Sequence, residues 1–145
     1  MILLTSYEDI YDRFAQKITD FKMLEMNDED VRDMMNGWMK SAIAKFRRCQ
    51  HDLSDRDDDL EEFSFDLLDI ELEILAELMV GEWLAPQLNS VLYTSQFFGG
   101  KEEKFYAQAN QLDKLLALQR RSEIRAQKLM RDYGYQNRIW SSREG

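Results

Sequence analysis

The chain has 145 residues, the size of one domain, and can bury a real core. One Pro and six Gly, set against many Leu, Met, Glu, Lys, Arg, Gln and Ala, favour helix. The lone Cys49 excludes an internal disulfide and points to a reducing compartment. The formal charge of -9 is unevenly spread: residues 1–113 carry 11 basic and 25 acidic side chains, residues 114–145 carry 8 basic and 3 acidic. An acidic body with a basic end is a polarised particle of the kind that can meet copies of itself. The first residues, MILLTSYEDIYDRF, have no basic leader and too short an apolar run for a signal peptide. No stretch reads as a membrane span, so folding in a cytoplasm is expected.

Thr5-Ser6-Tyr7-Glu8 reads as a capping box, the Thr side chain capping while Glu three residues later reaches back. Tyr7, Ile10, Tyr11, Phe14 and Ile18 follow at helical spacing and predict a first helix over 6–19. Phe21, Met23, Leu24 and Met26 form an apolar connector. Asn27-Asp28-Glu29-Asp30 is an acidic helix start, and the apolar series from Val31 through Met35, Trp38, Met39 and Ala42 to Cys49 keeps three-four spacing throughout. A second helix is predicted over 28–49, with Gly37 allowing close packing beside Trp38. Lys45, Arg47 and Arg48 fall in its last turn, where the helix dipole favours cations. Residues 50–68 break the pattern and read as an acidic, solvated loop pinned to the body by Leu60, Phe63, Phe65, Leu67 and Leu68.

Residues 69–86, DIELEILAELMVGEWLAP, are predicted to form the central helix, with Asp69 as its N-cap. Its apolar side chains surround the helix almost completely, so neighbours must bury it on more than one side. Two narrow acidic seams remain, Glu73/Glu77 and Glu71/Glu82, available to a neighbouring copy's Arg and Lys. Pro86 lacks a backbone donor and clashes with the preceding turn, so the helix should end or kink near Leu84–Ala85. Within residues 87–98 a short kinked continuation is expected from Gln87 to Phe97, ended by Gly99-Gly100. The last helix is predicted over Lys101–Tyr133. At ~1.5 Å per residue it is about 50 Å long. A compact body of this size is roughly 38 Å across, so the basic second half should overhang it. Gly134 suits a helix end, leaving Tyr135–Gly145 as a non-helical tail.

Motifs for chemistry are scarce. Asp55, Asp57 and Asp59 imitate the first ligand positions of a calcium loop, but Leu60 stands where the sharp turn needs Gly and Asp66 where a bidentate Glu belongs. Glu73 and Glu77 have the spacing of a di-iron carboxylate face, yet such sites add Glu-x-x-His pairs and His51 is the only histidine. Cys49 reads as core rather than nucleophile, and His51 as a helix-end group. There is no P-loop, no GxGxxG, no GxSxG and no CxxC. No catalytic residue, metal or cofactor is therefore expected. Arg120, Arg121, Arg125, Lys128 and Arg131 make a basic helix that could meet phosphates. The acidic body and the interleaved Glu123 and Asp132 favour instead a contact with the acidic face of a neighbouring subunit.

Over KSAIAKFRRCQHDLSDRDDDLEEF (Lys40–Phe63) and ILAELMVGEWLAPQLNSVLYTSQFFGGKEEKFYAQANQLDKL (Ile74–Leu115) the chain resembles the head–tail connector, adaptor or neck proteins of tailed bacteriophages. The resemblance implies a small all-helical subunit that forms a ring, typically dodecameric, beneath the portal protein. Such a ring passes DNA through its centre without sequence-specific binding and meets a tail-completion or stopper protein below. In related connectors a C-terminal segment docks on the portal, which would put Tyr135, Arg138, Ile139, Trp140 and Arg143 at that contact.

The expected fold class is all-α: a small bundle of four main helices with a long C-terminal helix and an extended C-terminal tail. Residues 1–133 would be a single connector domain and 134–145 the docking tail. The expected function is structural, in the virion neck between head and tail, with synthesis in the bacterial host cytoplasm, no membrane and no enzymatic activity. The alternative is a cytoplasmic helical regulatory protein that binds a partner protein or nucleic acid.

Overall fold

The computed structural model describes residues 3–18, 23, 25–98 and 102–144, and side chains outside 94–108 and 137–145. Among these residues the fold is an all-α bundle of four helices with one two-stranded ribbon. The helices are α1 (Tyr7–Ala15), α2 (Asp28–Lys45), α3 (Asp69–Phe98) and α4 (Glu102–Glu144). The ribbon pairs β1 (Arg56–Asp57) with β2 (Glu62–Phe63), antiparallel, between α2 and α3. No described helix is long and apolar enough to cross a membrane.

The first helix starts one residue later than its sequence suggests. Ser6 is the N-cap, accepting from the Glu8 N–H, while Asp9 reaches back to the Ser6 N–H at 3.2 Å. Thr5 has a different task. Its N–H donates to the Phe65 carbonyl and its own carbonyl accepts from Phe63. Its Oγ1 accepts from the Leu67 N–H at 2.8 Å and donates to Asp66. The N-terminal segment thus lies as a short extended piece beside β2. The acidic loop is thereby tied by backbone hydrogen bonds as well as by Phe63 and Leu67, both buried, while Leu60 and Leu68 stay exposed. The loop carboxylates are engaged locally: Asp57 accepts from the Asp59 and Leu60 N–H groups, Asp55 from the Ser64 hydroxyl.

The second helix closes at Phe46, before Cys49, whose side chain is left free to turn inward. A Cβ added at Gly37 would touch nothing within 4 Å, so this glycine does not serve a close approach. The connector residues Phe21 and Leu24 lie outside the described residues.

The central helix and the continuation expected beyond Pro86 are one element, which runs through Pro86 to Phe98. Leu68 rather than Asp69 stands at its mouth: the Leu68 N–H donates to Glu71 Oε1 at 2.8 Å, the reach-back half of a capping box. The helix is the core of the bundle. Ile74, Leu75, Ala76 and Met79 are fully buried among Tyr7, Ile10 and Phe14 of α1 and Met39 and Ala42 of α2. Each such large aliphatic contributes about 1.5–3 kcal/mol.

The largest departures lie in α4. It passes through Gly134 in helical form and continues to Glu144, so Tyr135–Glu144 is helix rather than an extended tail. Gly134 has no positive φ, which a left-handed helix end would require. α4 runs antiparallel to α3: Tyr133 meets Glu71, the Ser122 hydroxyl donates to the Glu77 carbonyl at 3.3 Å, and Leu115 packs with Leu84 and Leu88. The basic half therefore lies along the body, with Ser122, Ala126 and Tyr133 buried beneath it. At the other end of the pair, Leu84, Leu88, Val91, Leu112 and Leu115 form a second apolar cluster, to which among the described residues α3 and α4 contribute.

Candidate functional site

Glu71 is the centre of a buried polar cluster. It lies in the first turn of α3 with no exposed surface. Its Oε1 accepts from the Leu68 N–H at 2.8 Å. Its Oε2 accepts from the Tyr133 hydroxyl at 2.8 Å and the Cys49 thiol at 3.1 Å, and the His51 Nδ1 stands 3.0 Å away. Tyr133 in turn accepts from the Gln50 N–H at 2.9 Å. Burial alone would raise the Glu71 pKa. The Leu68 N–H, the thiol, the phenol and the imidazole together outweigh it and hold the carboxyl below its ordinary value.

Each partner arrives for a structural reason. The end of α2 at Phe46 lets Cys49 and His51 fall on the turn that crosses the start of α3. His51 is fixed by Phe65, on which its ring stacks at 4.5 Å and 14°. Tyr133 is held edge-on by Phe46 at 5.3 Å. The Cys49 thiol is pushed up to about 12, first by burial and then by the hydrogen bond to Glu71, so at neutral pH it is a proton donor and not a nucleophile. Cys49, His51 and Glu71 place one sulfur, one nitrogen and one oxygen ligand atom within 4.8 Å of one another.

A second charged cluster sits one turn along α3. Glu73 meets Arg13 at 3.2 Å, Lys17, and Arg125 at 3.4 Å. Glu77, nearly buried, meets Lys17 and Arg125, each at 3.3 Å. Glu82 pairs with Lys45. Glu73, Glu77 and Glu82 are thus paired with cations inside the chain, and Glu71 faces the core, rather than being presented to a neighbour.

Of the five cations expected to meet another copy, Arg125 already pairs within its own chain, although its side chain is more than half exposed. Arg120, Arg121, Lys128 and Arg131 are exposed on α4. Arg131 also joins Lys45, Arg47, Arg48, Met130 and Tyr135 around a groove of about 440 Å³ between the end of α2 and α4. Tyr135 is exposed and belongs to α4, and the side chains of Arg138, Ile139, Trp140 and Arg143 lie outside the described residues. The Glu71 cluster is the functional candidate that periodicity did not reveal. The Cys49-x-His51 spacing was its one visible trace.

No protein-family model, no curated protein and no solved structure matches this chain.

Proposed function

We propose that the chain is a structural head–tail connector of a tailed bacteriophage. Copies form a ring beneath the portal protein in the virion neck, conduct DNA through the centre, meet a tail-completion or stopper protein below, and perform no catalysis. One observation supports this beyond the sequence resemblance: charge remains unmatched after the chain has folded. Arg120, Arg121, Lys128 and Arg131 on α4, with Arg47 and Arg48 beyond α2, are exposed and meet no carboxylate among the described residues. Asp28, Glu29, Asp30 and Asp33 crowd the exposed start of α2, and Asp57 and Asp59 the loop, likewise without a cation. A ring needs two different, complementary faces on each subunit, and opposite charges set their register. A predominantly acidic body also suits a conduit, because it would not grip the phosphates of a passing duplex.

The test is reconstitution with the portal protein of the same phage, imaged by electron microscopy and weighed by native mass spectrometry. A ring of copies seated on the portal is expected. Removal of residues 137–145, or Trp140→Ala, should weaken seating while the far-ultraviolet circular dichroism still reports a helical bundle. A chain that ignores the portal but binds duplex DNA as a monomer or dimer would sink the connector reading in favour of a helical regulator.

A further inference from the structure

We propose that Cys49, His51 and Glu71 bind one borderline-soft divalent cation of the zinc class. The three donors have the chemistry such an ion selects: a thiolate sulfur, an imidazole nitrogen and a carboxylate oxygen. Their ligand atoms already converge. Glu71 Oε2 is 3.1 Å from Cys49 Sγ and 3.0 Å from His51 Nδ1, and all three lie within 4.8 Å of one another. Around a tetrahedral ion with bonds of about 2.0–2.3 Å, ligand atoms stand roughly 3.3–3.7 Å apart, so the two contacts of Glu71 Oε2 need open by only a few tenths of an ångström to admit it.

The donors are also held in place from outside. His51 is stacked on Phe65, Glu71 is anchored through Oε1 by the Leu68 N–H, and the Tyr133 hydroxyl steadies Oε2. Such supporting contacts orient metal ligands and strengthen binding. The carboxylate of Glu71 is wholly buried, and among the described residues no Lys or Arg pairs with it. Among the described residues the one basic side chain that meets it is His51. A divalent ion held by one thiolate, one carboxylate and one neutral imidazole is a neutral assembly, which a buried site tolerates far better than an isolated anion. The way in is open: the His51 side chain is 31% exposed and Cys49 is half-buried. On binding, sulfur forms a bond to the ion and the Cys49 proton leaves to solvent. His51 offers the Nδ1 lone pair with its proton on Nε2, and water fills the fourth position.

The experiment is titration of the metal-stripped, folded chain with zinc chloride against a chromophoric chelator, paired with cobalt(II) substitution. One ion per chain is expected, together with a cobalt–thiolate charge-transfer band in the near ultraviolet. Cys49→Ala and His51→Ala should each weaken binding by at least roughly tenfold. Glu73→Gln, two residues from the site but paired outward to Arg13, Lys17 and Arg125, should leave binding unchanged. A folded wild-type chain with no saturable zinc binding overturns the proposal. So does binding that survives both Cys49→Ala and His51→Ala, or a cobalt complex without the thiolate band.

Discussion

Glu71 Oε2 gathers the Tyr133 hydroxyl, the Cys49 thiol and the His51 ring within 3.1 Å, and its value to the fold follows from that crowd. A buried acceptor deprived of its donors costs about 1–3 kcal/mol. Tyr133→Phe leaves both Glu71 Oε2 and the Gln50 N–H short of a partner, and should lower unfolding free energy by about 1–2 kcal/mol in urea titration. Glu71→Gln is the harsher change, since the amide has one acceptor oxygen where the carboxylate has two, and its NH2 must face either the Leu68 N–H or the three donors at Oε2; it should cost roughly 2–3 kcal/mol. Glu73 makes a different prediction. Burial raises its pKa, but Lys17, Arg125 and Arg13 outweigh it and hold the carboxyl below the ordinary glutamate value of 4.5. A depressed folded-state pKa gives stability that is present above the unfolded value and lost as pH falls through the folded one. The melting temperature should therefore fall as pH drops below about 4.5. Lys17→Met should shrink that acid-sensitive portion; an unaltered pH profile would show that the cluster contributes nothing. Periodicity placed Glu71 and Glu73 on seams of α3 but could not separate a wet seam from a buried one. The deciding partners, Tyr133 and Arg125, are 62 and 52 residues away along the chain.

The helices themselves were legible because each carries its signal locally. The three-four spacing of α1 and α2 and the all-round apolar surface of α3 follow from the pitch of one helix and do not depend on neighbours. Their ends were less legible. Ser6 rather than Thr5 caps α1 because Thr5 is drawn into pairing with residues 63–67, a non-local claim on the same side chain. Pro86 reads locally as an end or a kink and Gly134 as an end, and α3 and α4 run through both. The antiparallel packing of the two long helices outweighs the local penalty of either residue. Gly134→Ala is a direct check. A Cβ there meets nothing within 4 Å and the backbone is helical, so alanine should stabilise by about 0.5–1 kcal/mol. A destabilised alanine variant would restore the view that the helix ends at Gly134. Pro86→Ala should likewise raise the melting temperature, because it returns the missing N–H to the turn at Glu82.

Across the molecule, the uneven charge survives folding in a sorted form. Arg13, Lys17, Lys45 and Arg125 are matched internally, and Arg120, Arg121, Lys128 and Arg131 are left outward. Under the connector proposal, reversing Arg120, Arg121 and Lys128 to Glu should abolish assembly of copies on the portal while the circular dichroism stays helical. The proposed assembly of the unaltered chain should weaken with added salt, as screened surface charges do. Retained assembly in the reversed variant would remove the basic row from the interface. Composition and periodicity were enough to establish an all-helical domain with a central helix and an acidic-to-basic gradient, because helix propensity, hydrophobic spacing and net charge are properties of neighbouring residues. Only the tertiary structure decided which acidic groups are buried and which cations stay free. Those outcomes depend on side chains from different helices, such as Arg13 and Glu73 or Tyr133 and Glu71, meeting in space, and no local pattern encodes that meeting.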